Sequence, residues 1–189
     1  LNLVVTPTQN IVGHFMGFRI ALIAVRGIDA DTLYERYGVR RTGQHEEIAE
    51  SPVCGATVST GWELLYLNDY PRPHSEALAE LSANSELLFC DVNETCMSSF
   101  ATGWENGVEK WIVFHDAQQS PAHLVTDGEP PDGYVAIRDA KLREQADDDD
   151  DVDHVFDVPI DLFASLTGIR YDMELPNSAG KDYEILEPV

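Results

Sequence analysis

Apolar residues run almost unbroken through positions 18–25 (FRIALIAV), between Gly17 and Gly27. A run of that length bounded by turn formers predicts a central β-strand. The period then changes. Asp29 stands at an N-cap position, Ile28 and Leu33 occupy the two places of a hydrophobic staple, and Gly38 supplies a left-handed stop, so a short helix is expected from Ala30 to Tyr37. Trp62, Leu64 and Tyr66 alternate with Glu63, Leu65 and Leu67, which predicts a buried strand. After Pro71-Arg72-Pro73, Leu78 and Leu81 share one face of a helix over 75–83, and residues 86–92 (ELLFCDV) return to strand. Residues 46–60 are less regular, and Pro52 interrupts any strand there or confines it to an edge. The order reads β-α-β-β-α-β, that of a ferredoxin-like sheet with helices on one face.

Asn106-Gly107 lies between two further strand-like segments, 96–104 and 108–115. That dipeptide favours a two-residue type I′ hairpin, whose turn residues both need positive φ. Counting back from the turn pairs Glu105 with Val108, Trp104 with Glu109, Thr102 with Trp111, Phe100 with Val113 and Ser98 with His115. Trp104, Phe100, Trp111 and Val113 then share one face, where cross-strand packing stabilises a sheet. Three prolines and two glycines make 118–133 a long loop, 134–138 has strand character, and 146–153 (ADDDDDVD) is an exposed loop, because adjacent carboxylates are not desolvated together. Pro159 suits the first turn of a helix reaching Thr167, with Ile160, Phe163 and Leu166 at apolar spacing and Gly168 as its stop. The expected fold class is α+β: a single domain with a mixed or antiparallel sheet and a few short helices, a ferredoxin-like core extended by a β-hairpin. The domain covers residues 16–174. Residues 1–15 read as an upstream extension or cloning remnant, since Met16-Gly17 directly precedes the first strand, and residues 175–189 read as a peripheral tail.

Composition supports a globular core, with 43% hydrophobic residues, three Trp, seven Tyr and seven Phe. Charge is what sets the chain apart. Twelve Lys and Arg face thirty-four Asp and Glu, for a formal charge of -22. Such a field repels phosphate backbones and anionic headgroups, so neither nucleic acid nor membrane is an expected partner. It accelerates encounter with a basic protein, which is the expected partner, and it also keeps a protein soluble. Cys54, Cys90 and Cys96 are odd in number and lack C-x-x-C spacing, which suits free thiols. No run of apolar residues is long enough for a membrane span, and 1–15 holds no Lys or Arg to start a signal peptide, so a cytoplasmic location is expected.

Ser98, His115 and Asp116 invite comparison with a catalytic triad, but successive strand side chains point to opposite faces, so Asp116 is not expected to orient the His115 imidazole. A structural histidine hydrogen-bonded to Ser98 is the expectation. His45, Glu46 and Glu47 lack partner spacing for a transition metal. Asp147, Asp148, Asp149, Asp150, Asp151 and Asp153, with His154, form the densest carboxylate cluster, yet without the alternation, mid-loop glycine and terminal glutamate of an EF-hand. No metal or other cofactor is expected. No basic neighbour is visible to lower the thiol pKa of Cys90 or Cys96, and phosphate-binding glycine loops are absent. Trp62, Trp104 and Trp111 suit a core, although an exposed tryptophan beside carboxylates would make a binding hot spot.

A small acidic cytosolic α+β chain of this kind resembles, in composition, bacterial immunity proteins and inhibitors that neutralise a basic toxin or nuclease. The leading expectation is therefore a non-enzymatic protein-binding module presenting the acidic loop, Asp147 to Asp151 with Asp153, to a cationic partner. A nucleic-acid mimic is its narrower form. Trp104, His115 and Asp116 form a second candidate cluster. The alternatives are a small hydrolase or metal-dependent enzyme with a site assembled from His45, Asp91, His115 and Asp116, and a scaffold whose self-association works against like-charge repulsion.

Overall fold

The structure, a computed structural model, describes residues 17–68, 70–148, 152–175 and 182–189. Nine strands form one sheet: β1 (Arg19–Arg26), β2 (Val39–Glu46), β3 (Val53–Thr57), β4 (Glu63–Asn68), β5 (Glu86–Asn93), β6 (Ser98–Glu105), β7 (Val108–Asp116), β8 (Val125–Gly128) and β9 (Tyr183–Pro188). Their order across the sheet is β2-β9-β3-β4-β1-β5-β6-β7-β8, and every ladder is antiparallel. Four helices complete the domain: α1 (Ala30–Tyr37), α2 (Ser75–Leu81), α3 (Tyr134–Asp147) and α4 (Asp157–Thr167).

The apolar run in β1 is continuous because both of its faces are covered. Ile20, Leu22 and Ala24 enter one core with Tyr134 of α3 and Ile160 and Phe163 of α4. Ala21, Ile23 and Val25 enter the other, with Leu33 of α1 and Leu78 of α2. The result is three layers, with the sheet between two pairs of helices. The α+β class holds, but the ferredoxin-like core is not supported. Helices lie on both faces rather than one, and β1 and β2 are separated in the sheet by β4, β3 and β9.

Local chemistry sets α1 as its sequence implies. The Asp29 carboxylate accepts from Thr32 N at 2.8 Å, and Gly38 at φ 79° ends the helix. Four other segments differ from the sequence pattern. Residues 134–138 start α3 instead of a strand: Gly133 adopts φ 97° before Tyr134, and the good helix formers that follow, with a Lys141 to Glu144 contact at 3.1 Å, carry the helix on. The supposed peripheral tail supplies β9, inserted between β2 and β3 with Tyr183 and Leu186 buried. β2 and β8 form the sheet edges. Both are polar and largely exposed, which conceals them from a hydrophobic pattern and discourages edge-to-edge pairing.

The hairpin turn has Asn106 at φ 52° and Gly107 at φ 80°, as a type I′ turn requires. Glu105 pairs with Val108 and Trp104 with Glu109 as the turn dictates, and then Lys110 is bulged out. Beyond it Gly103 pairs with Trp111, Phe100 with Phe114, Ser99 with His115 and Ser98 with Asp116. The one-residue shift exchanges faces. Trp111 and Val113 join the core under α3 and α4, while Trp104 and Phe100 pack on the side of α1 and α2, so the expected four-residue apolar face is divided.

Candidate functional site

A cleft of about 990 Å³ opens at the end of the sheet where β1 begins and β4 ends. Its walls come from five segments: residues around Phe18, the β2–β3 connection at 47–50, the end of β4, the stretch 171–175 that follows α4, and the start of β9. Tyr66, Tyr171 and Tyr183 form the aromatic part of its lining. Two of their hydroxyls are engaged: Tyr66 donates to the Tyr171 carbonyl at 3.1 Å, and Tyr171 donates to Glu94 at 2.7 Å. The other oxygen of Glu94 accepts from Phe18 N at 2.9 Å, so this one carboxylate ties the entry of β1 to the segment after α4. Tyr66 and Tyr183 meet edge to face, 5.7 Å between centroids.

Charge and apolar surface coincide in this cleft. Glu47, Glu50, Asp172, Glu174 and Asp182 line it, with no Lys, Arg or His among the lining residues. Asp172 pairs with Arg170 at 2.8 Å. Among the described residues the other four carboxylates have no cationic partner. Phe18, Ile48 and Met173, all on the cleft wall, are 55%, 71% and 65% exposed, an apolar rim beside unpaired negative charge.

Glu46 braces the β2–β3 connection that forms one wall. Its carboxylate accepts from Glu50 N, Ser51 N and Ser51 Oγ at 2.8–2.9 Å, and from the Cys54 thiol at 2.8 Å. Burial alone would raise the Glu46 pKa, but these donors outweigh it and hold the group below its ordinary 4.5. A depressed carboxyl contributes stability that is present above its unfolded value and lost as pH falls through its folded value. Thermal melts across the acid range should therefore show wild type losing stability more steeply than Glu46→Gln below about pH 4.5. Parallel curves would mean that the ionised carboxylate does not support the wall. The same arrangement raises the Cys54 thiol, by burial first and then by Glu46.

The residues singled out from the sequence are distributed differently. Asp147 ends α3 exposed, Asp148 accepts from His154 Nε2 at 2.7 Å, and Asp149, Asp150 and Asp151 lie outside the described residues. Asp153 does not face solvent freely. It turns inward to meet Nε2 of the fully buried His115 at 2.8 Å, with only 13% of its side chain exposed. The expected bond from His115 to Ser98 is not formed, because the bulge at Lys110 puts Ser99 opposite the histidine, and Ser99 donates instead to the Phe156 carbonyl at 2.6 Å. Ser98 lies 3.2 Å from the Cys96 sulfur. As the pleat implies, Asp116 turns away from the imidazole and accepts from Gln118 N at 3.0 Å.

Trp104, His115 and Asp116 are thus not brought into one site. Neither are His45, Asp91, His115 and Asp116. His45 is on β2, the first strand of the sheet, and His115 on β7, the eighth, about 33 Å apart at the usual strand spacing, while Asp91 is paired with Arg72 at 3.0 Å. Among the described residues no three His, Cys, Asp or Glu side chains are placed to share a metal ion. No described helix is long and apolar enough to cross a membrane. Cys54, Cys90 and Cys96 are free thiols.

The chain matches no protein-family model, no curated protein and no solved structure. The cleft is therefore read from its own chemistry. A local signal for it exists in the sequence: Ile48 follows Glu47, and Met173 stands between Asp172 and Glu174, so a large apolar residue is isolated among carboxylates at two separate places. Neither belongs to an apolar period, which is what a core residue would show.

Proposed function

We propose that the protein is a non-enzymatic binding module that holds a basic partner protein against the acidic cleft. The observation that carries this is the set of four carboxylates, Glu47, Glu50, Glu174 and Asp182, without cationic partners among the described residues, in a concavity with aromatic and aliphatic walls. Like charges gathered over low-dielectric walls focus a negative potential, which draws in a cation and selects against anions. Binding is favoured over catalysis by the positions of His45, Asp91, His115 and Asp116, which are spread over three strands, β2, β5 and β7, and do not converge. Neutralising a basic toxin or nuclease is the particular form of this activity that the composition resembles. The charge of the acidic run before Asp153 adds to long-range attraction, while the cleft provides contact.

The test is retention of proteins from the source cell on the immobilised chain, in parallel with Glu47→Gln/Glu50→Gln/Glu174→Gln/Asp182→Asn. Basic proteins should be retained at low ionic strength and released as salt approaches about 1 M, where the Debye length is about 3 Å. The quadruple variant should retain less of the same proteins. If no basic protein is held even at low ionic strength, the proposal is wrong.

A further inference from the structure

We infer that the cleft recognises its partner by admitting a lysine or arginine side chain from an extended segment, with the alkyl stem on Phe18, Ile48 and Met173 and the cationic head donating to the Tyr183 hydroxyl. This rests on the function proposed above and specifies its contact. Tyr183 is 6% exposed, lines the cleft, and its hydroxyl makes no hydrogen bond to any described residue. The other two cleft tyrosines have theirs satisfied. Among the described residues the hydroxyl oxygen therefore keeps its acceptor positions open to a donor that enters the cleft. Burial pushes the Tyr183 phenol up to about 12, with Cys54 adding to the shift, so at neutral pH the hydroxyl is intact and its oxygen accepts.

The remaining features fit the same occupant. Lysine and arginine carry an apolar stem and a charged tip, which matches an exposed apolar rim beside unpaired carboxylates. Glu47, Glu50, Glu174 and Asp182 supply the countercharge. Other occupants fit less well. Residues 1–16 hold no Lys or Arg, and a second copy of the chain brings a formal charge of -22 to a cleft that is already negative. A partner polypeptide with basic residues is the occupant that charge complementarity selects.

The experiment is fluorescence anisotropy with a labelled alternating Lys-Ser peptide, its Nε-acetylated counterpart and spermine as competitor, against the full chain and its variants. The peptide should bind and acetylation should abolish binding. Tyr183→Phe, which keeps the ring, should weaken binding about tenfold. The quadruple carboxamide variant should weaken it roughly thirtyfold. Ile48→Ser, on an exposed connection, should weaken it with an unchanged melting temperature, which provides a readout independent of the buried tyrosine. Equal affinity for wild type, Tyr183→Phe and Ile48→Ser, with loss in the quadruple variant, would overturn side-chain insertion and leave diffuse attraction of a basic partner standing. Equal affinity for the quadruple variant would move the contact elsewhere and overturn the inference. Spermine competing as strongly as the peptide binds would make this a polyamine site and overturn the commitment to a polypeptide. If neither the peptide nor any basic protein binds, the proposed function fails together with the inference.

Discussion

Asp153→Ala is expected to lower stability by about 3 kcal/mol, and the melting temperature by about 6–12 °C for a domain of this size. The His115 ring is fully buried, and both of its nitrogens face acceptors: the His123 carbonyl at 2.7 Å and the Asp153 carboxylate at 2.8 Å. A carbonyl oxygen only accepts, so Nδ1 donates to His123, and Nε2 is left facing the Asp153 carboxylate. Removing Asp153 strands that nitrogen in a closed core, where an unpaired polar group costs far more than the bond itself contributes. Asp153 also accepts from Phe156 N at 3.1 Å, so the variant loses the cap on the turn leading into α4. Asp153→Asn keeps one acceptor oxygen, enough for the Phe156 N contact, with its amide NH2 beside His115 Nε2, and should lose less. Pairing Asp153→Ala with His115→Leu should cost less than the sum of the single changes, because the stranded group is then gone. If Asp153→Ala melts with the wild type, the pair contributes no stability.

That aspartate shows where sequence reasoning stops. The run ADDDDDVD states that carboxylates are dense, and their mutual repulsion argues against burying them together. It does not show that Asp153, the last of them, turns inward, because its partner is thirty-eight residues away on β7. Elements written in local chemistry were legible: the cap and stop of α1, the apolar periods of β1, β4 and β5, and the Asn-Gly turn. Elements defined by a distant partner were not. β2 and β8 are polar edges that exist because β9 and β7 pair with them, and β9 itself is recruited from the other end of the chain. Element order resembled a ferredoxin-like sheet, but order along the chain does not determine order across a sheet, and here helices settle on both faces. The cleft was hidden for the same reason, being assembled from five separate segments, although Ile48 and Met173 among carboxylates were visible.

Net charge, similarly, suggests a kind of partner and says nothing of where one would bind. Among the described residues, three of the cations are committed to ion pairs within the fold. Arg41 serves Asp31 and Glu184, Lys141 serves Glu144, Asp157 and Asp161, and Arg170 serves Asp157, Asp161 and Asp172. The Lys141 and Arg170 contacts hold α3, α4 and the stretch after α4 together and Arg41 ties β2 to α1 and β9, while among the described residues Glu47, Glu50, Glu174 and Asp182 of the cleft have no cationic partner. A uniformly acidic surface would only solvate the chain. The proposed binding function rests on balanced walls beside carboxylates that have no cationic partner among the described residues.

Gly103→Ala is the second large effect expected, a loss of about 2 kcal/mol and of about 4–8 °C in melting temperature. It tests the bulge that separates the observed hairpin from the one its turn alone implies. With Lys110 bulged, Gly103 pairs with Trp111, and the indole folds over the glycine. A Cβ at Gly103 would lie 2.3 Å from Trp111 Nε1 and 2.5 Å from Cε2, well inside contact distance. Trp111 is 6% exposed and packed under α3 and α4, so the ring has little room to yield. The bulge is further fixed by Thr102, whose hydroxyl donates to the Trp111 carbonyl at 2.8 Å. In a Trp111→Leu background the clash disappears, and the same Gly103→Ala change should cost about 1 kcal/mol less. Near-UV circular dichroism should show the Gly103→Ala indole reoriented even where the fold survives. Equal cost in both backgrounds would mean that the ring does not cover Gly103. The strand would then run in the unbulged register, with Thr102 opposite Trp111, and Ser98 instead of Ser99 would face His115.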